Sequence, residues 1–174
     1  MCSGNGTNFE NIVTNPVCNT NEVVLMIHNT KHCGAVKRAA KWGIPHARVA
    51  HKEEDQMIKL FETWRVDLIV LAGYMRVLKN PASFPCPIIN IHPSLLPKYK
   101  GLHAIEQALD SGDKITGVSV HYVNEELDGG EIILQQEVPI LPDDNIDSLT
   151  KAIQRVEYGI LPAAIEHVKH QLQK

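Results

Sequence analysis

One stretch of the chain, residues 88–101, changes abruptly from an apolar run to turn-forming residues. Side chains two residues apart in an extended chain share a face, so Asn90 and His92 should point the same way from a strand. Pro93 and Pro97 should then end that strand, because proline cannot donate a hydrogen bond to a β ladder. In α/β folds the functional groups usually lie where strands end. The stretch therefore predicts a strand that presents an amide and an imidazole together at such a position.

Further apolar runs alternate with helical patterns along the chain. Residues 23–27 and 68–72 are continuous apolar runs, which are typical of strands covered on both faces. Residues 53–64 between them have amphipathic helical spacing. Residues 117–123 and 131–140 have the pattern of two strands joined by a short loop, which predicts antiparallel neighbours. The sequence thus predicts an α/β fold with a sheet that is parallel first and mixed at one edge, where a C-terminal antiparallel hairpin lies.

Composition narrows the class of protein. A chain of 174 residues is expected to form one domain, and its 44% apolar and 21% charged residues are ordinary for a globular protein. The formal net charge of -3 argues against binding to nucleic acid or to an anionic membrane. No apolar run approaches membrane length, and no signal peptide is recognised. Because the four cysteines are scattered without a CxxC pair, we expect reduced thiols in a cytoplasmic protein.

The first residues, Ser-Gly-Asn-Gly-Thr-Asn at positions 3–8, predict a tight turn that enters a helix. The glycines remove side chains where backbone must approach a ligand, and backbone N–H groups at a helix start suit a phosphate. The N–H groups expected there belong to Gly6, Thr7, Asn8 and Phe9. An ordinary helix N-cap explains the same pattern equally well. Such a turn normally follows a buried strand, so the first strand is expected to be missing from the sequence ahead of Ser3.

The chemistry available to the strand-end pair depends on a third residue. Asn90 can donate a hydrogen bond to a developing oxyanion, and His92 can transfer a proton near neutral pH. The alternative is a core histidine bonded to backbone. Asp128, in Leu-Asp-Gly-Gly, is either an exposed turn residue or a carboxylate beside His92 that favours the protonated imidazole.

Two other regions have weaker signals. Residues 75–78 follow a buried strand and either line a site or simply pack on the core. Gln154 and Glu157 lie three residues apart on one face of the last helix, where a solvated surface is the ordinary explanation. His28, His32 and Cys33 have no known metal-ligand spacing, so no metal is expected.

Taken together, these motifs are similar to those of a known family. Asn-Ile-His-Pro-Ser-Leu-Leu-Pro at positions 90–97 resembles the signature of the folate-dependent formyltransferases. The opening Ser-Gly-Asn-Gly-Thr-Asn, Lys-Tyr-Lys-Gly-Leu-His at 98–103 and Gly-Val-Ser-Val-His at 117–121 resemble the branch that formylates glycinamide ribonucleotide. That resemblance implies a Rossmann-like doubly wound sheet and a single catalytic domain over residues 1–174. It also implies formyl transfer from 10-formyltetrahydrofolate, as co-substrate, to the glycinamide amine in de novo purine biosynthesis.

The resemblance also assigns roles residue by residue. The implied catalytic residues are Asn90, His92 and Asp128. The implied ribonucleotide contacts are Gly6, Thr7, Asn8, Phe9, Gln154 and Glu157. The implied folate contacts are Met75, Arg76, Val77, Leu78, Asn90, Asn124, Glu125, Glu126, Leu127 and Asp128. Ser119 and His121 are expected to support the site or face a substrate.

Partners of this kind are small molecules, without metal, nucleic acid or membrane, and the chain is expected to act as a monomer or homodimer. Two alternatives stay open. One is another enzyme of the superfamily, such as a hydrolase of formyltetrahydrofolate. The other is a module that binds nucleotide or folate without turnover, which the expected loss of the first strand keeps open.

Overall fold

A computed structural model describes residues 1–174. The chain forms two compact units, Met1–Asn90 and Ile91–Lys174. The first contains α1 (Thr7–Thr14), β1 (Met26–His28), α2 (Ala35–Lys41), β2 (His46–Arg48), α3 (Glu54–Thr63), β3 (Ile69–Leu71) and most of β4 (Ile88–His92), with short 3-10 turns at Pro16–Cys18 and Pro81–Ser83. The second contains α4 (Ala104–Ser111), β5 (Ile115–Tyr122), β6 (Ile132–Pro139) and α5 (Ile146–Leu172).

Parallel strand pairs organise the first unit. β1 pairs with β2, and β3 pairs with β4 in a register that sets Leu71 opposite Asn90. The first residues of the chain lie between these pairs, because Cys2 forms a parallel bridge with His28 and the Ala72 N–H donates to the Met1 carbonyl. The Cys2 side chain belongs to a buried cluster, together with Phe9, Met26, Cys33, Ala35, Ala39 and Ala72.

The apolar run at residues 23–27 predicted a longer strand than the observed β1, which begins only at Met26. The Met26 N–H donates to the Pro45 carbonyl, so the ladder with β2 reaches Pro45. The next hydrogen bond toward the start of the strand would need an N–H on Pro45, and proline has none. Residues 23–25 are half-buried but lie outside any strand.

An antiparallel strand pair and a long helix form most of the second unit. β5 and β6 pair from Ile115 opposite Pro139 to His121 opposite Ile132, with a register shift between Val120 and His121. α5 packs against both strands, and α4 packs against α5. The Asn145 side chain caps α5 by accepting from the backbone N–H groups of Asp147 and Ser148. The predicted α/β class, with parallel and mixed pairing, is confirmed.

α5 is the longest helix, at 27 residues. Neither it nor any other helix is long and apolar enough to cross a membrane.

Candidate functional site

His92 is the last residue of β4 and is buried. Its Nε2 lies 2.7 Å from the Tyr99 carbonyl oxygen, and its Nδ1 lies 3.5 Å from Asp128 Oδ2. A carbonyl oxygen can only accept a hydrogen bond, so Nε2 carries the hydrogen. The other ring nitrogen, Nδ1, faces the carboxylate.

Asp128 lies between two imidazoles. Its side chain is only 7% exposed, and Oδ1 lies 3.5 Å from His121 Nε2. His121 donates from Nδ1 to the Tyr122 carbonyl at 2.8 Å, and the Gly101 N–H donates to Asp128 Oδ2 at 2.7 Å. One carboxylate thus faces the second nitrogen of both histidines, an arrangement that can hold a proton close to His92.

Opposing influences act on the pKa of Asp128. Burial, the largest of them, raises it. The hydrogen bonds from His121 and Gly101, together with the charges of His92 and His121, outweigh burial and bring the pKa below its ordinary value of 3.8. Asp128 is therefore ionised at neutral pH and provides the negative charge of the cluster.

Ser119 fixes the turn that follows His92. Its hydroxyl donates to the Ser94 carbonyl at 2.7 Å and accepts from the Leu96 N–H at 3.0 Å. Gln135 donates to the same hydroxyl at 2.7 Å. A Cβ at Gly117 would collide with the Leu95 side chain, so glycine is needed for β5 to approach this turn. The structure thus places Ser119, fully buried, against the turn.

Asn90 lies two residues before His92 on β4 and is half-buried. Strand alternation directs its side chain to the same face as His92. Gln154 and Glu157 are also half-buried, on α5.

The glycine turn of the first unit leads into α1. Gly6 has a φ of 73°, and a Cβ there would collide with Ala35. The first N–H bonded within the helix is that of Glu10, which donates to the Gly6 carbonyl. The backbone N–H groups at 7–9 lie ahead of this first helical hydrogen bond, as at any helix start. The turn therefore has the backbone geometry expected of an anion site.

Ser3 joins this turn to the loop at residues 73–78. Its N–H donates to the Gly73 carbonyl at 2.9 Å, and its hydroxyl accepts from the Met75 N–H at 2.9 Å. In the loop, Met75 and Val77 are 61% and 63% exposed, whereas Leu78 is buried. The structure thus brings two of the regions singled out in the sequence together within one unit, and it leaves two apolar side chains of the loop exposed.

The loop at residues 124–128 carries Asp128 at its end. The Asn124 side chain accepts from the Glu126 N–H at 3.0 Å, which tightens the turn. Glu126 pairs with Lys100 at 2.7 Å, and Leu127 is 51% exposed. Arg76 and Glu125 are exposed as well.

Sequence reasoning missed three contacts that shape the site. Tyr99 acts through its backbone carbonyl and Gly101 through its backbone N–H. Nearly every residue has these groups, so the sequence gives no signal for either contact. Arg38 donates from Nε to the Asn5 carbonyl at 2.8 Å and pairs with Glu10, thereby holding the glycine turn. Its position within an amphipathic helix does not reveal that contact.

Comparison with known proteins agrees with this fold. The family model described as formyl transferase matches residues 1–165. The chain belongs to the formyl transferase family, and the resemblance inferred from its motifs is confirmed.

Individual relatives show which members of the formyl transferase family this chain is similar to. The chain is similar to phosphoribosylglycinamide formyltransferase of Haemophilus influenzae, with 38% identity over 179 residues that cover 95% of this chain and 84% of that protein. The crystal structure of phosphoribosylglycinamide formyltransferase from Bacillus halodurans matches with a TM-score of 0.90 and 37% identity, covering 96% of this chain and 92% of that one. The chain is also 40% identical to part of the trifunctional purine biosynthetic protein adenosine-3 of Drosophila melanogaster, with 95% of this chain matching 13% of that protein.

Proposed function

We propose that this chain transfers the formyl group of 10-formyltetrahydrofolate to the amine of glycinamide ribonucleotide. The observation that carries the proposal is the buried His92–Asp128–His121 cluster at the end of β4, in a chain of the formyl transferase family. Both substrates are small molecules.

In this reaction the amine attacks the formyl carbon, and negative charge develops on the formyl oxygen. Asn90 donates a hydrogen bond to that oxygen, and His92 is protonated beside Asp128 and contributes positive charge. The two ring nitrogens of His92 face the Tyr99 carbonyl and Asp128. His92 therefore stabilises the formyl oxygen mainly through the charge of its ring, and less through a direct hydrogen bond to that oxygen. Removing one stabilising group of this kind typically costs about 10²–10³ in rate.

The proton balance involves only the two substrates. A carbon–nitrogen bond forms to the glycinamide amine, the bond to the folate nitrogen breaks, and a proton passes from the first nitrogen to the second. Asp128, ionised by its hydrogen bonds, orders a water that relays this proton. Holding both substrates in attack geometry provides much of the remaining acceleration.

Substrate binding is assigned to the surrounding loops. The ribonucleotide phosphate binds the N–H groups of the glycine turn at Gly6, Thr7, Asn8 and Phe9, and Gln154 and Glu157 contact the same substrate. The folate ring packs along Met75 to Leu78 and along the loop from Asn124 to Asp128. The exposed apolar side chains of Met75, Val77 and Leu127 support that assignment.

Residues 1–174 together act as a single catalytic domain in this proposal, in the cytoplasm, as a monomer or homodimer. The chemistry needs neither nucleic acid nor a membrane surface as partner.

One assay tests the proposed reaction. Purified protein is mixed with 10-formyltetrahydrofolate in the presence and absence of glycinamide ribonucleotide, and deformylated folate is followed by absorbance. Release only with the ribonucleotide is the expected result. Release without it would identify a hydrolase, and binding of either substrate without release would identify a binding module.

A further inference from the structure

The Tyr99 carbonyl that accepts from His92 belongs to a residue in an uncommon backbone conformation. Tyr99 has a φ of 54°, in the left-handed region that residues other than glycine seldom adopt unless other contacts hold them there. This conformation presents the carbonyl oxygen to His92 Nε2 at 2.7 Å. The contacts that hold Tyr99 therefore also determine how the imidazole is oriented.

The Tyr99 side chain provides the main such contact. Its hydroxyl donates to Asp113 Oδ2 at 2.6 Å, just beyond the end of α4. Lys98 Nζ donates to the same oxygen at 2.7 Å. Asp113 is itself fixed, because its N–H donates to the Ser111 hydroxyl at 3.0 Å. The hydrogen bonds from Lys98, first, and from Tyr99 lower the pKa of Asp113, so the anchor stays ionised in the neutral range.

The backbone just before Tyr99 is held as well. The Ser94 hydroxyl donates to the Lys98 carbonyl at 2.5 Å, and the Lys98 N–H donates to the Leu95 carbonyl at 3.0 Å. With the backbone fixed on one side and the phenol ring on the other, the Tyr99 carbonyl has little freedom to turn away from His92.

We propose that Tyr99 and Asp113 are positioning residues that keep the His92 hydrogen on Nε2 and direct Nδ1 to Asp128. Neither side chain touches the reacting atoms. Their effect is to hold the imidazole with Nε2 at the Tyr99 carbonyl and Nδ1 at the carboxylate, so that the ring lies where the proposed transfer needs it. The role of these two residues in turnover rests on the proposed formyl transfer. The orientation of the His92 ring does not depend on that proposal.

Histidine NMR tests the orientation in the ligand-free protein. With ¹⁵N-labelled histidine, two-bond correlations show which ring nitrogen carries the hydrogen, and comparison with His92→Asn assigns the signals. In the unmodified protein His92 should have a stable Nε2–H. Tyr99→Phe and Asp113→Ala each remove the hydroxyl–carboxylate hydrogen bond, and should give faster exchange of the His92 Nε2–H with solvent.

Two further variants separate the effect of the Tyr99–Asp113 hydrogen bond from that of the negative charge on Asp113. Asp113→Asn keeps an oxygen that can accept from the Tyr99 hydroxyl, and Lys98→Ala removes only the other partner of Asp113. Both should preserve the Nε2–H signature.

In the formyl-transfer assay Tyr99→Phe and Asp113→Ala should lower kcat about tenfold, the loss expected from one hydrogen bond, with KM for both substrates unchanged. Asp113→Asn and Lys98→Ala should stay within about twofold.

The outcomes separate this inference from the proposed function. An unchanged Nε2–H signature in Tyr99→Phe and Asp113→Ala would overturn the inference, and so would equal damage from Asp113→Asn and Asp113→Ala. Faster Nε2–H exchange in these two variants, in a protein that shows no formyl transfer, would support the positioning and overturn the function instead. Circular dichroism and thermal midpoints identify any variant that has merely lost its fold.

Discussion

At the scale of single residues, His92 joins most of the features on which the proposed chemistry depends. It ends β4, it is buried, and its ring nitrogens face a carbonyl and a carboxylate. A buried histidine with only backbone partners would be an ordinary core residue. The nearby ionised Asp128 is what distinguishes His92 from such a core residue.

Replacing His92 with alanine should therefore lower kcat for formyl transfer about 10²–10³-fold, because one source of oxyanion stabilisation is lost. Steady-state kinetics measures the change, and circular dichroism checks that the fold is kept. The matched control is His170→Ala, which removes an exposed histidine near the end of α5 and should leave kcat unchanged. Wild-type turnover in the His92 variant would exclude the residue from the reaction.

Asp128 also links the site to the pH dependence of stability. Its pKa in the folded protein is lowered, so its stabilising contribution is present above the ordinary value of 3.8 and is lost as pH falls through the lowered pKa. Asp128→Asn should be less stable than the unmodified protein above about pH 5, and the difference should shrink toward zero in acid. Urea unfolding at several pH values measures this, and a difference independent of pH would contradict the assignment.

At the scale of elements, the sequence predicted the strands and helices better than their ends. The alternation of apolar runs and helical patterns was enough for the α/β class. It did not predict the late start of β1, which depends on the missing N–H of Pro45, the residue just before β2. The site follows the same rule. The side chains of His92 and Asp128 have a sequence signal, whereas the Tyr99 carbonyl and the Gly101 N–H have none.

The glycine turn before α1 can be tested as an element. Gly6→Ala places a Cβ against Ala35 in a left-handed conformation, so the turn must shift and the protein should lose about 1–2 kcal/mol of stability. We expect KM for glycinamide ribonucleotide to rise at least tenfold, because the N–H groups move from the phosphate. The KM for the folate should change far less.

The matched control is Gly159→Ala. Gly159 lies within α5, has no positive φ and has open space where a Cβ would stand, so alanine should leave KM unchanged and add about 0.5–1 kcal/mol of stability. Equal KM values in Gly6→Ala and Gly159→Ala would remove the glycine turn from ribonucleotide binding.

At the scale of the whole molecule, binding of each substrate should stabilise the folded chain by mass action. A ligand at 100 times its Kd adds about 2.7 kcal/mol, which for a chain of this size raises the thermal midpoint by roughly 5–10 °C. Glycinamide ribonucleotide and tetrahydrofolate should each raise the midpoint of the unmodified protein. Because the proposed contacts of the two ligands are separate, Gly6→Ala should lose about half or more of the rise caused by the ribonucleotide and keep the rise caused by the folate. Loss of both in this variant would mean that the turn supports the fold generally, and no rise with either ligand in the unmodified protein would contradict the proposed substrates.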